Sequence, residues 1–303
     1  MLSEKPWKLD AIGRLVLNLW IGVLVGSLLV SLVNFSTDTI KGSGLIYFSL
    51  FFGALSFLAA ALVLVNKPWA PESHLHRLIS IAVCCFGGVL LAGLVQGFRT
   101  GPTAVSTLSM GIAMVSFQGA AIVFIDRFLR EHQIGWGEAF GLDLPRLGRT
   151  LSRALLVGIV ALPVAWFLGA MSVHALTWLQ IEPKEQQSVQ TLKATVSWGQ
   201  RFFFGLTALV LAPVVEEFLF RGILYPTLKQ IGHPRLAWWG SALLFALIHF
   251  NLATFASLTF LALMLTWLYE ETNTLLAPII THSFFNAANF YWLLWQQAVV
   301  PGY

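Results

Sequence analysis

Residues 213–221 have the sequence PVVEEFLFR, which places three charges inside the otherwise apolar stretch Phe202–Leu224. Each charged side chain near the centre of a membrane helix costs about 2.5–3.5 kcal/mol on insertion scales. Glu217 and Arg221 are four residues apart, so they share one face of an α-helix and can form an ion pair. Glu216 is rotated by about 100° from Glu217 and is the poorer partner for Arg221. Two interpretations follow: either Glu216 is left free for catalysis, or the three charges form one structural salt-bridge cluster.

The composition is typical of a polytopic membrane protein. Of the 303 residues, 57% are hydrophobic and only 11% are charged, whereas a soluble domain carries about 25% charged residues. We therefore predict an all-α membrane protein with eight or nine transmembrane helices around an intramembrane cavity. No basic run is long enough to indicate nucleic-acid binding, so membrane lipid is the expected surrounding partner.

The count of eight or nine spans depends on one ambiguous region. A membrane-spanning helix needs about 20 apolar residues, and the segments Leu236–Phe250 and Leu252–Leu268 are shorter and separated only by Asn251. They could form a tight hairpin or be partly re-entrant. The candidate spans are Ala11–Val33, Gly44–Val65, Leu75–Gly97, Ala104–Ile125, Leu151–Gln180, Phe202–Leu224, Leu236–Phe250, Leu252–Leu268 and Leu275–Gln296.

The chain is predicted to divide at about residue 200. Residues 1–200 would hold about five spans and the cytoplasmic loop 126–150, and residues 201–303 would hold the catalytic core helices. If the N-terminus is cytoplasmic, most Lys and Arg residues fall in cytoplasmic segments, as the positive-inside rule requires. The opening near Glu216 then faces the cytoplasm, and a plasma-membrane location follows if the protein is bacterial. Within the loop, residues 136–142 predict a short amphipathic helix on the membrane surface, followed by a turn.

Two later apolar segments carry polar residues. His249 lies one helical turn after Phe245, and a lone histidine in an apolar helix is typical of a packing residue. His282, Asn286 and Asn289 share one face of a helix, and this polar stripe alone is typical of a hydrogen-bonded seam between helices. Polar groups in lipid must face inward and satisfy one another. Together with the carboxylates, these residues therefore predict a functional site shared by three helices.

The residue types favour activation of water. The sequence lacks the His-Glu-x-x-His motif, the Gly-x-Ser-x-Gly motif and a pair of intramembrane aspartates, which disfavours three other classes of intramembrane protease. Glu216 can accept a proton from a water that His249 holds. His282 and Asn286 can donate hydrogen bonds to the oxyanion that forms. Glu216, His249 and His282 could instead bind Zn²⁺ with an open position for water, and the sequence leaves both mechanisms open.

Three motifs occur in order along the last third of the chain, at about Phe202–Tyr291. They resemble those of the CAAX-prenyl protease and bacteriocin-processing (CPBP, or Abi) family of intramembrane endopeptidases. The motifs are Glu216-Glu217-x-x-x-Arg221, Phe245-x-x-x-His249 and His282-x-x-x-Asn286.

The resemblance implies hydrolysis of a peptide bond in a membrane-associated or lipidated protein or peptide. Glu216 would activate water in a cavity also lined by His249, His282 and Asn286. Glu217 and Arg221 would brace this cavity, and Asn289, which lies outside the motifs, is given a supporting role. The alternatives are a non-enzymatic scaffold or bacteriocin-immunity protein with the family fold, and an ion-coupled transporter. The absence of a visible internal repeat counts against the transporter.

Overall fold

The computed structural model describes residues 5–36, 111–112, 114–142, 147–193, 195 and 197–299, and these residues form helices and connecting turns without a strand. The predicted spans Gly44–Val65 and Leu75–Gly97 lie outside the described residues. The chain forms two compact units, one within Pro6–Gln133 and the other comprising Lys5 and the residues from Ile134 onwards. The functional division predicted at residue 200 stays a prediction.

The first unit packs two helices together. Helix α1 (Leu9–Ser36) covers the predicted span Ala11–Val33. A π-helical segment, Val115–Gly119, leads into α2 (Ala120–Glu131), and the predicted span Ala104–Ile125 is described only from residue 111. The α1 backbone approaches this segment so closely that a Cβ on Gly22 would lie 2.9 Å from the Ser116 carbonyl oxygen.

The second unit holds the helices that carry the predicted site. By length and composition, three of the described helices (α4, α6 and α8) can cross a membrane, and the total of eight or nine spans stays a prediction. Only 28% of the apolar window of α4 and of α6 is buried, so apolar side chains cover their outer faces. The helices are α3 (Trp136–Phe140), α4 (Leu147–Trp178), α5 (Gln187–Lys193), α6 (Trp198–Gln230), α7 (Leu236–Leu247), α8 (Leu252–Thr272) and α9 (Leu276–Val299).

Helices α4, α8 and α9 form one apolar core. Phe285 of α9 packs with Leu261 and Leu265 of α8 and with Leu162 and Ala165 of α4. Two side chains hold the register of the three helices, because each donates to a backbone carbonyl of α4. Ser257 Oγ donates to Ala165 O at 2.6 Å, and Thr281 Oγ1 donates to Ala154 O at 2.9 Å.

Helices α7 and α8 are joined by a tight turn, and the choice between two full spans and a partly re-entrant α7 stays a prediction. Helix α7 ends at Leu247, and Phe250 adopts a left-handed conformation with φ of 49°. Asn251 then caps α8, because its Oδ1 accepts a hydrogen bond from Thr254 N at 2.9 Å. Phe245 and Ala262 meet in the cluster between the two helices, which places the Phe245–His249 turn beside α8.

Helix α6 departs from the regular α-helix assumed in the sequence prediction. It contains two π-helical segments, Thr207–Leu211 and Phe218–Leu224, on either side of the α-helical turn Ala212–Glu217. Such segments occur frequently at functional sites. The two glutamates therefore lie at the end of a short α-helical segment with an altered helical pitch on both sides.

Candidate active site

Glu217 and Arg221 form the ion pair that their spacing predicts. Arg221 Nη1 donates to Glu217 Oε1 at 2.8 Å, and the two side chains are 1% and 0% exposed. The intervening π-helical segment does not separate them. A buried pair of this kind needs good geometry and further hydrogen bonds to offset the loss of hydration.

Arg221 obtains those further bonds from α8. Its Nη2 donates to Ala262 O at 2.9 Å, and its Nε donates to Thr266 Oγ1 at 3.4 Å. The guanidinium carbon also lies 4.9 Å from the centre of the Phe245 ring, close enough for a cation–π interaction. Sequence reasoning missed Thr266, and its only signal was a hydroxyl within the apolar run of α8.

His282 binds the same carboxylate from α9. Its Nδ1 lies 2.9 Å from Glu217 Oε1, the oxygen that also accepts from Arg221. Because that oxygen acts as an acceptor, the proton is assigned to Nδ1 of His282. The other ring nitrogen, Nε2, lies 3.8 Å from Glu216 Oε2, so the imidazole stands between the two glutamates.

The two adjacent glutamates differ in exposure and in partners. The Glu217 side chain is completely buried, whereas the Glu216 side chain is 16% exposed. Glu217 Oε2 has no hydrogen-bond partner among the described residues, although Oε1 has two. Of the two carboxylates, Glu216 is therefore the more accessible one.

His249 lies on α7 and is held by its own helix. Its Nδ1 lies 2.7 Å from Phe245 O, and since a carbonyl only accepts, the proton is on Nδ1 and Nε2 is free to accept. The Phe245 ring centre is 5.0 Å from the His249 ring and 5.6 Å from the His282 ring. Phe245 thus contacts both histidines and the guanidinium of Arg221.

The two asparagines of α9 make separate contacts. Asn286 Nδ2 donates to Ala208 O at 2.8 Å, a carbonyl within the first π-helical segment of α6. Asn289 Oδ1 accepts from Trp166 Nε1 at 3.0 Å, and its Nδ2 donates to Phe285 O at 2.8 Å. Asn286 therefore joins α9 to α6, and Asn289 joins α9 to α4.

The arrangement of these side chains does not form a ready-made metal site. Among the described residues, which include every predicted site residue, no three His, Cys, Asp or Glu side chains come together as a group that could hold a metal ion. His282 Nδ1 is bonded to Glu217, and its Nε2 is the ring nitrogen that faces Glu216. Direct activation of water by Glu216 and activation through a metal both stay predictions.

One protein-family model matches the region of the chain that contains this cluster. The model of the family described as type II CAAX prenyl endopeptidase Rce1-like matches residues 198–288. No curated protein and no solved structure matches the chain significantly. The match covers all three motifs and most of α6 to α9. Over residues 198–288 the chain carries the signature of the Rce1-like type II CAAX prenyl endopeptidases, which confirms the resemblance predicted from its motifs.

Proposed function

We propose that this protein is an intramembrane endopeptidase that hydrolyses a peptide bond in a membrane-associated or lipidated protein or peptide. The observation that carries the proposal is the asymmetry of the two glutamates. Glu217 is buried and bonded to both Arg221 and His282, while Glu216 is partly exposed, with its Oε2 3.8 Å from His282 Nε2. The bonded carboxylate of Glu217 suits a supporting role, and the accessible carboxylate of Glu216 suits the catalytic role.

In the proposed reaction, Glu216 acts as the general base. Its carboxylate takes a proton from a water molecule, and the resulting hydroxide attacks the scissile carbonyl carbon to give a tetrahedral oxyanion. The intermediate collapses with cleavage of the C–N bond, and the proton held by Glu216 passes to the leaving amine. The proton balance is complete with water as the only co-reactant, and a positioned acid–base group of this kind contributes about 10²–10⁴ in rate.

The remaining polar residues orient the water and stabilise charge. His249 Nε2 is the free nitrogen of its ring, because Nδ1 donates to Phe245 O, and it can hold the same water by accepting a hydrogen bond from it. Asn286 uses one amide hydrogen on Ala208 O and keeps a second for the oxyanion. His282 can donate to the oxyanion only when Nε2 is also protonated, since its Nδ1 is committed to Glu217.

The proposed substrate reaches the site from the membrane. The family match supports a prenylated substrate whose lipid chain partitions into the bilayer beside the exposed apolar faces of α4 and α6. The proposed orientation has the N-terminus and the opening of the site on the cytoplasmic side, which is where the positive-inside rule places most Lys and Arg residues.

Cleavage by the protein reconstituted in nanodiscs tests the proposal. The probe is a peptide that ends in a farnesylated cysteine followed by three residues, and a matched peptide lacks the farnesyl group. We expect cleavage after the cysteine into a tripeptide and a shortened farnesylated peptide, with one ¹⁸O atom from H₂¹⁸O in the new carboxylate of the shortened peptide. Glu216→Gln should form product about 10²–10⁴-fold more slowly. Equal activity of Glu216→Gln would contradict the mechanism. Absence of cleavage by the wild-type protein, with binding of the peptide retained, would favour the non-enzymatic scaffold.

A further inference from the structure

The short helix α3 lies against α6 directly after the two glutamates. Phe140 is completely buried, and its ring centre lies 4.6 Å from that of Phe218, the residue that follows Glu217. The Trp136 ring contacts the same phenylalanine at 5.1 Å. The predicted helix and turn are therefore present, with the apolar side of the helix packed on α6, and the predicted position of the helix on the membrane surface stays a prediction.

A glycine of α6 makes room for this contact. A Cβ on Gly222 would lie 2.6 Å from Cε1 and 2.9 Å from Cδ1 of Phe140, and 3.1 Å from Cδ1 of Leu275. Real Cβ atoms essentially never approach other atoms within 3.0 Å. Any larger residue at position 222 would therefore push Phe140 or the α6 backbone aside, one residue after Arg221.

Phe140 also binds the segment that leads into α9. Phe140 O accepts a hydrogen bond from Leu275 N at 2.9 Å, and α9 begins at the next residue. Gly141 turns the chain with φ of 62°, and a Cβ there would lie 2.3 Å from Asn273 O. His282 follows Leu275 by two helical turns, so the contact fixes the start of the helix that carries it.

Helix α3 is itself held on its other side. Lys5 Nζ donates to Ala139 O at 2.6 Å. Burial lowers the pKa of Lys5, and the nearby Glu138 carboxylate partly opposes this shift. Helix α3 is thus bonded to Lys5 through Ala139, and it contacts α6 and the start of α9 through Phe140.

We propose that Phe140 is a positioning residue for the candidate active site. Seated in the notch at Gly222 and bonded to Leu275, it fixes α6 relative to α9 and so sets the separation of Glu216 from His282. Its effect on catalysis rests on the proposed function, whereas its effect on the geometry of His282 does not. A displacement of about 1 Å at a reacting group can cost about 10²-fold in rate. A small shift of Phe140 should therefore give a measurable fall in kcat.

Three variants and one control test this role. Gly222→Ala introduces the clash, Phe140→Leu removes Cε1, the nearer of the two ring atoms that would be struck, and the double variant combines them. Gly137→Ala is the matched control, because it adds the same methyl group to α3 where no described atom lies within 4 Å. We expect kcat for the farnesylated peptide to fall roughly 10- to 100-fold in Gly222→Ala, with KM nearly unchanged. The double variant should recover to the level of Phe140→Leu alone.

A second readout does not need activity. The ¹⁵N signals of His282 in histidine-labelled protein report whether Nδ1 keeps its bond to Glu217, and they are assigned by their loss in His282→Gln. We expect Gly222→Ala to shift these signals, the double variant to restore them and Gly137→Ala to leave them in place. If the wild-type protein proves inactive, the proposed function fails while these signals still decide the role of Phe140. If Gly222→Ala does not fold, Phe140→Leu alone must lower kcat or shift the His282 signals.

The proposal is overturned if Gly222→Ala matches Gly137→Ala in both kcat and the His282 signals. It is also overturned if Gly222→Ala lowers kcat by the same factor in Phe140→Leu as in the wild-type protein, because the clash would then not involve Phe140. A purely structural contact would change the unfolding midpoint and the yield of folded protein but not kcat per folded molecule.

Discussion

Helix α6 carries two charge clusters that differ in burial. The inner cluster comprises Glu216, Glu217, Arg221 and His282, and the Glu217–Arg221 pair at its centre is at most 1% exposed. The outer cluster lies about two turns further along, where Glu270 of α8 accepts from Tyr225 and from Lys229. In this outer pair the Lys229 and Glu270 side chains are 42% and 28% exposed.

The difference in burial determines which charged groups need a hydrogen-bonding or ionic partner within the protein. In the outer cluster water can replace a missing partner, so an exposed ion pair contributes only about 0–1 kcal/mol. In the inner cluster a missing partner leaves a charge in a low-dielectric interior, which costs about 3–5 kcal/mol. Arg221 accordingly uses all three guanidinium nitrogens, and the Glu216 carboxylate remains the accessible charge of the cluster.

The largest effect is expected from Arg221→Ala. Removal of the guanidinium leaves Glu217 buried with His282 as its remaining partner, so the free energy of unfolding should fall by about 3–5 kcal/mol. Activity should be lost at the same time. Denaturant unfolding in detergent, followed by tryptophan fluorescence, measures the change. A fall in the free energy of unfolding of less than about 1 kcal/mol would show that loss of a partner costs no more in the inner cluster than in the outer one.

A smaller effect is expected when both charges are removed together. Glu217→Gln with Arg221→Met leaves no buried charge, and the Gln carbonyl can still accept from His282 Nδ1. Replacement of a buried ion pair by uncharged groups often changes the free energy of unfolding very little. The double variant should therefore be more stable than Arg221→Ala by about 2 kcal/mol or more. Equal or greater destabilisation of the double variant would argue that the contacts to Ala262 and Thr266 outweigh the charge itself.

The smallest effect is expected from Lys229→Ala in the outer cluster. The free energy of unfolding should change by about 1 kcal/mol or less, and kcat should stay within about twofold. Tyr225→Phe provides the companion variant, because it removes the other hydrogen bond to Glu270 without changing charge. A strong loss of activity in either variant would mean that the outer cluster belongs to the site.

The sequence predicted local relations well and long-range relations only in outline. The Glu217–Arg221 pair follows from a spacing of four residues, and the polar stripe of α9 follows from helical periodicity. The bond from His282 to Glu217 joins residues 65 apart and depends on how α6 and α9 pack, which periodicity does not encode. His282 was therefore predicted as an oxyanion donor, without the carboxylate that fixes its ring.

Two further features lay outside what periodicity can indicate. A π-helical segment inserts an extra residue into a turn, and packing decides where it falls, so the segments on either side of the glutamates gave no sequence signal. The helix at residues 136–140 was predicted from its local pattern, but its contact with α6 was not. A strongly apolar side fits a membrane surface and a protein interior equally well, and the Gly222 notch that receives the ring is 82 residues after Phe140.

A paired measurement on Glu216→Gln and Glu217→Gln separates the roles of the two glutamates most directly. Both kcat for the farnesylated peptide and the unfolding midpoint are measured for each variant in the same nanodiscs. We expect Glu216→Gln to lose activity by about 10²–10⁴-fold with an unchanged midpoint, and Glu217→Gln to lower the midpoint as well as the activity. Retained activity in Glu216→Gln, or full loss of activity in Glu217→Gln at an unchanged midpoint, would contradict the assignment of Glu216 as the base and Glu217 as its support.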